Sequence, residues 1–148
     1  MRIVVAAVGR AKEPAFRALL DEYYARIRRH ATLDERELRQ AGEDRLAADV
    51  ASLVRSAGPH AVLVVLDVGG RTMSSDAFAR QIQRWRESAC SPLFLIGGAD
   101  GIPDAVVKGA HLRLSLGAMT LPHRLARVVL AEQIYRAFTI LSGEPYPR

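Results

Sequence analysis

The chain has 148 residues and a mass of 16.2 kDa, which suits one domain with a substantial core. It is 49% hydrophobic and 25% charged, and these proportions exclude a disordered or fibrous protein. Its longest apolar runs, such as residues 61–66, fall far short of the roughly 20 residues that span a bilayer, so no membrane partner is expected. A single cysteine excludes an intramolecular disulfide and, with no signal-peptide core, predicts a cytoplasmic protein.

The net charge of +5 is concentrated toward the end of the chain. Residues 105–148 hold six basic and two acidic residues, whereas residues 61–104 are slightly acidic. Nineteen of the 21 basic residues are arginine, which binds phosphates through paired hydrogen bonds and stacks on bases. This distribution predicts a nucleic-acid partner, with a solvated basic surface as an equally good explanation.

Apolar periodicity predicts alternating strands and helices in the first half of the chain. Arg2–Val8 is a β-branched apolar run that ends at Gly9, and it predicts a buried strand. Apolar residues spaced by three and four predict a helix over residues 13–30, with Pro14 in its first turn. A weak edge strand over residues 32–38 and an amphipathic helix over residues 46–56 follow.

The second half continues the alternation. Residues 61–67 are apolar up to the final aspartate and predict a strand covered on both faces, followed by a loop over residues 68–72. Ser74 or Ser75 is expected to cap the next helix. The alternation predicts a single α/β domain built on a mostly parallel sheet. The remaining predicted elements are helices over residues 75–88, 102–108 and 123–141, strands over residues 92–96 and 111–115, a loop over residues 115–122 and a tail from residue 142.

The last predicted helix has apolar residues on more than one face. A surface helix of a small domain needs only one apolar stripe, so the second face suggests packing against both its own sheet and a second copy of the chain. The alternative explanation is a helix at the centre of one subunit.

Ligands of open α/β sheets bind beyond the carboxyl ends of the strands. Three such ends carry unusual residues, namely Leu66 with Asp67, the pair Gly97 and Gly98, and residues 115–122. Glycine lets the backbone approach a ligand closely, although a glycine pair after a strand is more often only a turn. No dinucleotide-binding or Walker glycine motif is present, so a phosphate-bearing nucleotide is not supported.

The histidines and the cysteine support neither a metal site nor a catalytic triad. The four histidines lack the paired spacing of zinc ligands, and Cys90 lies between a helix and a strand, so no metal is expected. His123 stands apart because it begins the last helix directly after Pro122, where the helix dipole disfavours a charged imidazole. A functional histidine and a solvated one explain that position equally well.

Several segments resemble one known family. They read FLIGGADG at 94–101, LSLGAMTLPHRL at 114–125, VVLAEQIYRA at 128–137 and GEPYPR at 143–148, with VAAVGRAKE at 5–13 and LDVGGRTMSSDAF at 66–78. The glycine pair followed at this distance by TLPH is the most specific of these features. By these motifs, over nearly its whole length, the chain is identified as a member of the RlmH-type large-subunit ribosomal RNA pseudouridine methyltransferases, of the SPOUT class.

The resemblance implies a SPOUT-type α/β knot, with helices on both faces of a parallel-rich sheet and a trefoil knot in the C-terminal half. It implies an enzyme that uses S-adenosylmethionine to methylate N3 of a pseudouridine in 23S ribosomal RNA. The target stem-loop lies at the subunit interface of the large subunit. The resemblance further implies a homodimer that acts on the ribosome.

The cofactor site is carried over from the family by position. The expected contacts are backbone N–H and C=O groups around the adenine, together with an apolar wall. S-Adenosylmethionine has no phosphate, so the site needs no phosphate-binding lysine. The residues concerned are Leu66, Gly97, Gly98, Ser115, Leu116, Gly117, Ala118, Met119, Thr120 and Leu121.

Catalysis and RNA binding are carried over to the basic end of the chain. Tyr146 and Arg148 match the family's P-Y-H-R tail, in which Pro147 of this chain replaces the histidine. His123 is the first candidate to accept the N3 proton, with Tyr146 or solvent as alternatives. The expected catalytic residues are His123, Tyr146 and Arg148, and the expected RNA-binding residues are Arg124, Arg127, Tyr146 and Arg148.

Two other functions stay open. One is a SPOUT methyltransferase that acts on another RNA such as tRNA. The other is a non-catalytic ribosome-binding factor, against which the intact glycine pair and the TLP segment argue.

Overall fold

Five parallel strands alternate with five helices in residues 1–147, the part of the chain that a computed structural model describes. The elements are β1 (Arg2–Val8), α1 (Pro14–Ile27), β2 (Thr32–Leu38), α2 (Glu43–Ser56), β3 (Ala61–Thr72), α3 (Ser75–Glu87), β4 (Ser91–Ile96), α4 (Asp104–Lys108), β5 (Leu112–Ser115) and α5 (His123–Ser142). The strands form one sheet in the order β2-β1-β4-β3-β5. The predicted α/β fold and the edge position of β2 are both confirmed.

The central strands are buried on both faces. In β1, Ile3, Val5 and Ala7 face a layer formed by α1, α3 and α5, whereas Val4 and Ala6 face a layer formed by α2 and α4. Burial on both sides requires the continuous apolar runs that the sequence shows in β1, β3 and β4. The expectation of helices on both faces is confirmed.

Helix α5 lies between α1 and α3 against the sheet. Neighbours on three sides bury side chains that point in several directions, so the two apolar faces of α5 are explained within one subunit. This central packing is the second of the two explanations that the sequence offered. It removes the apolar pattern of α5 as support for a second copy, although Leu125 stays 38% exposed.

Strand β3 is longer than predicted. The expected loop at residues 68–72 continues as strand, because β5 pairs with both halves of β3 around an irregularity: Leu114 aligns with Leu66 and also with Arg71. Gly70 lies where the chain crosses β5, and a Cβ there would lie 2.6 Å from the carbonyl oxygen of Arg113. Only glycine fits this close approach, so Gly70 serves the pairing with β5 and does not mark a loop.

Helix boundaries differ from the predictions by a few residues. Helix α1 ends at Ile27 rather than at residue 30, α2 begins at Glu43 rather than at residue 46, and α4 begins at Asp104. The predicted cap of α3 is confirmed as Ser74, whose side-chain oxygen accepts a hydrogen bond from the backbone N–H of Ala77 at 3.0 Å.

Candidate active site

A cavity of about 460 Å³ opens at the carboxyl ends of β4 and β5 and beside residues 66–68, where the first half of β3 ends. Parallel strands end at the same edge of a sheet, so the three flagged strand ends meet there. The volume lies within the range of small-molecule sites. Of the residues predicted for cofactor binding or catalysis, the cavity is lined by Leu66, Gly97, Gly98, Leu116, Gly117, Met119, Leu121 and His123.

Three predicted cofactor residues do not line this cavity. Ser115 lies in a neighbouring cavity of about 260 Å³, and Ala118 and Thr120 are exposed on the loop. The buried Ser115 hydroxyl donates to the carbonyl oxygen of Gly117 at 2.9 Å and accepts from its N–H at 3.2 Å. Gly117 has φ +146°, a conformation that favours glycine, so Ser115 shapes the loop backbone.

The glycine pair is packed too tightly for side chains. A Cβ on Gly97 would lie 2.9 Å from Cγ1 of Ile102 and 3.1 Å from the carbonyl carbon of Gly101. A Cβ on Gly98 would lie 2.7 Å from the side-chain oxygen of Gln40 and 3.1 Å from Cγ1 of Val8. The pair therefore does more than turn the chain, because it lets the backbone form the floor of the cavity.

Sequence reasoning missed an ion pair at the cavity. Arg113 donates from Nε and Nη2 to Oδ2 of Asp67, at 2.9 and 2.6 Å. These hydrogen bonds, with one from the backbone N–H of Gly69, hold the pKa of Asp67 below its ordinary value. The available signal was Arg113 itself, a charged residue between the two leucines of β5.

His123 begins α5 and lines the cavity together with Ala126, one turn later. Its side chain is partly buried at the cavity wall. The next residue, Arg124, is half-exposed and forms a salt bridge with Glu13 of the β1–α1 loop. The first turn of α5 is thus tied to that loop and brings His123 to the cavity.

Arg127 was expected to contact RNA, and its position corrects this expectation. Its side chain is only 4% exposed, and Nη2 lies 2.8 Å from Glu35 Oε2 and 2.9 Å from Glu37 Oε2. A guanidinium enclosed by α5, β2 and α1 has no surface left for a phosphate. Arg127 is therefore removed from the candidate RNA contacts.

Tyr146 lies away from the cavity within one chain. Its hydroxyl donates to Glu132 Oε1 at 3.1 Å, and its ring packs edge-on against Tyr135 and beneath the guanidinium of Arg136. Partial burial and its hydrogen-bond partners raise the pKa of Tyr146, which keeps it protonated. Nine residues of helix separate Glu132 from His123, about 14 Å along α5. Arg148 lies outside the described residues.

Within residues 1–147, no three His, Cys, Asp or Glu side chains are grouped as metal ligands would be. No helix of that part of the chain is long and apolar enough to cross a membrane.

An α/β fold with a cavity at the carboxyl ends of its parallel strands is typical of enzymes, and comparison with known families identifies which kind. Residues 1–147 match the family described as predicted SPOUT methyltransferases, and the chain belongs to this family of enzymes. Full-length relatives are similar to it. Ribosomal RNA large subunit methyltransferase H of Sorangium cellulosum is 48% identical, with 99% of each chain covered. The protein of the same name from Rhodospirillum centenum is 47% identical, with 100% of this chain and 99% of the relative covered.

Solved structures share the fold at low sequence identity. The SpoU methyltransferase AviRb from Streptomyces viridochromogenes, solved with AdoMet, is 16% identical with a TM-score of 0.52. The alignment covers 97% of this chain and 61% of that one. A methylase family protein from Neisseria gonorrhoeae is 11% identical with a TM-score of 0.54, over 99% of this chain and 94% of that one.

Proposed function

We propose that this protein transfers the methyl group of S-adenosylmethionine to N3 of a pseudouridine in 23S ribosomal RNA, in the stem-loop at the subunit interface of the large ribosomal subunit. We propose further that it acts in the cytoplasm as a homodimer with a knotted C-terminal half. The observation that carries the proposal is a single cavity lined by both the glycine pair and His123, in a chain 48% identical to a ribosomal RNA large subunit methyltransferase.

The cavity fits S-adenosylmethionine in size and chemistry. Its apolar wall contains Leu66, Leu116 and Leu121, and its floor is the backbone at Gly97 and Gly98, whose N–H and C=O groups suit the edge of an adenine. When bound, S-adenosylmethionine supplies an electrophilic methyl group on a positively charged sulfur. The ion pair of Asp67 and Arg113 places polar groups at the same cavity for the ligand's amino-acid portion.

A methyl transfer at this cavity would form the bond between N3 and the methyl carbon as the carbon–sulfur bond breaks, and the N3 proton would pass to a base. The protein must hold the two reactants in line, which accounts for as much as about 7–11 kcal/mol of barrier lowering in oriented systems. His123 is the group at the cavity that accepts the proton. Tyr146 is a poor candidate for this step, because a tyrosine with a raised pKa stays protonated.

A homodimer would reconcile the tail with the cavity. Within one chain Tyr146 packs on α5 about 14 Å along the helix from His123, so a tail residue that contacts the target base would come from the second copy. Light scattering of the purified protein is expected to give about twice the chain mass of 16.2 kDa. A 16 kDa species alone at micromolar concentration would contradict the dimer.

The decisive experiment is a methyl-transfer assay. Purified protein and radiolabelled S-adenosylmethionine are incubated with ribosomes from a strain that lacks this enzyme, and the labelled nucleotide is mapped. Label on a pseudouridine of 23S RNA supports the proposal. Cofactor binding without label on ribosomes would favour another RNA such as tRNA, and the absence of both would favour a non-catalytic ribosome-binding factor.

His123→Ala tests the proton acceptor. We expect turnover to fall about a hundredfold or more, since general bases contribute roughly 10²–10⁴-fold, while the Kd for S-adenosylmethionine changes little. His60→Ala is the matched control, because His60 is exposed in the turn before β3. That turn lies at the amino end of the strand, away from the cavity. A His123→Ala enzyme with wild-type turnover would exclude His123 as the base.

A further inference from the structure

Three exposed cations lie on the loops that follow the adjacent parallel strands β1 and β2. The backbone N–H of Gly9 donates to the carbonyl oxygen of Leu38 at 2.8 Å, so the two parallel strands stay paired up to their ends. Beyond this bond, Arg10 and Lys12 follow β1 and Arg39 follows β2. We name these three residues the basic edge.

Two acidic residues near these loops, Glu13 and Glu37, are already paired with arginines of α5. Glu13 forms a salt bridge with Arg124. Glu37 accepts hydrogen bonds at 2.9 Å from both Arg127 and the backbone N–H of Ala11. Burial raises the pKa of Glu37, but these donors lower it by more than burial raises it. The carboxylate therefore stays charged and hydrogen-bonded.

Because Glu13 and Glu37 pair with α5, they do not serve as counter-ions of the basic edge. None of its three members forms an ion pair with any residue in 1–147. Apart from Glu13 and Glu37, the next acids along the chain are Glu43 and Asp44, which open α2 on the face of the sheet opposite α5. Like charges on adjoining loops repel each other, and a polyanion relieves that repulsion.

The basic edge adjoins the cavity directly. Gln40, the neighbour of Arg39, reaches Gly98 so closely that its side-chain oxygen lies 2.7 Å from the position of a Cβ there. Val8, the last residue of β1, packs against the same glycine. The loops that carry the cations therefore border the floor of the cofactor cavity.

We infer that the basic edge binds phosphates of the RNA substrate on either side of the base that enters the cavity. This inference rests on the proposed function, since it requires an RNA substrate at this cavity. Arg124 and Arg127 have a supporting part: by neutralising Glu13 and Glu37, they leave the cations of the β1–α1 loop available. Phosphate contacts of this kind set the position of an RNA without reading its sequence.

The test is the salt dependence of binding to large ribosomal subunits from a strain that lacks the enzyme. The variant is Arg10→Gln/Lys12→Gln/Arg39→Gln. Each lost phosphate contact reduces the magnitude of the negative slope of log K against log salt by roughly 0.7–0.9, so we expect the three substitutions to reduce that magnitude by about 2 to 3. The Kd for S-adenosylmethionine, measured by calorimetry, is expected to stay unchanged.

The matched control is Arg55→Gln/Arg86→Gln/Lys108→Gln. It removes the same number of positive charges, two arginines and one lysine, from the last turns of α2, α3 and α4. We expect it to keep the wild-type slope. An unchanged slope in the first variant, or an equal loss in the control, would overturn the inference while wild-type methylation of 23S RNA upholds the proposed function. If the wild-type protein neither binds nor methylates the subunits, both fail together.

Discussion

The cavity at the strand ends and a cluster of charged side chains, the ionic corner, lie on two sides of the first turns of α5 and are formed by different kinds of residue. Backbone, glycines and apolar side chains form most of the cavity. The ionic corner consists of Arg17, Glu35, Glu37 and Arg127. The cavity is therefore sensitive to added bulk, whereas the corner is sensitive to lost charge. Both fix the start of α5, which carries His123.

The ionic corner is balanced in charge and largely enclosed. Arg127 bridges Glu35 and Glu37, and Arg17 lies 3.0 Å from Glu35 and 2.8 Å from Asp21. Hydrogen bonds and charges of the two glutamates outweigh the effect of burial and raise the pKa of Arg127, so its positive charge is permanent. A network of this kind contributes little over an apolar core when complete but is costly to leave half-formed.

The largest expected effect comes from breaking the corner. Arg127→Met leaves two partly buried carboxylates without their shared cation, and we expect the free energy of unfolding to fall by about 3 kcal/mol, measured by urea denaturation. The control is Arg124→Met, which removes a half-exposed pair with Glu13 and is expected to cost about 0.2–1 kcal/mol.

A second variant separates charge from packing at the corner. Adding Glu35→Gln and Glu37→Gln to Arg127→Met removes the uncompensated charges, so much of the lost stability is expected to return. Equal destabilisation by Arg127→Met and Arg124→Met would show that burial does not determine how much the free energy of unfolding depends on the Arg127 ion pairs.

The two regions also differ in how well sequence predicts them. The pattern of strand ends and glycines, with the family resemblance, indicated Leu66, Gly97 and Gly98, because parallel strands bring their carboxyl ends together whatever the loops between them. Arg127 was misassigned because its partners lie about 90 residues earlier on an edge strand, and no local pattern records such pairing. The loop predicted over residues 68–72 was wrong for a similar reason, since Gly70 is required by the nearby backbone of β5, which is distant in sequence.

The next effect tests the sensitivity of the cavity to bulk. The Cβ of Gly97→Ala would press on Ile102 and on the backbone of Gly101, so the loop that lines the cavity must shift. We expect the Kd for S-adenosylmethionine to rise about tenfold, equivalent to about 1.4 kcal/mol, in a calorimetric titration. Gly42→Ala is the control, because a Cβ there meets nothing within 4 Å and its φ is −61°. An unchanged affinity in Gly97→Ala would mean that the backbone at this glycine does not form the floor.

The smallest effect concerns the ion pair between Asp67 and Arg113 at the cavity. Their side chains are 28% and 50% exposed, so Asp67→Asn is expected to lower the free energy of unfolding at pH 7 by only about 0.2–1 kcal/mol. Hydrogen bonds from Arg113 lower the pKa of Asp67 in the folded protein. Its contribution is therefore present above the ordinary aspartate pKa of 3.8 and is lost as the pH falls through the lower folded value. The difference between wild type and variant, followed by urea denaturation from pH 7 to pH 2.5, should shrink toward zero. A difference that persists at low pH would show that the Asp67 side chain stabilises the fold by its shape and hydrogen bonds, as the cavity residues do, and not by its charge.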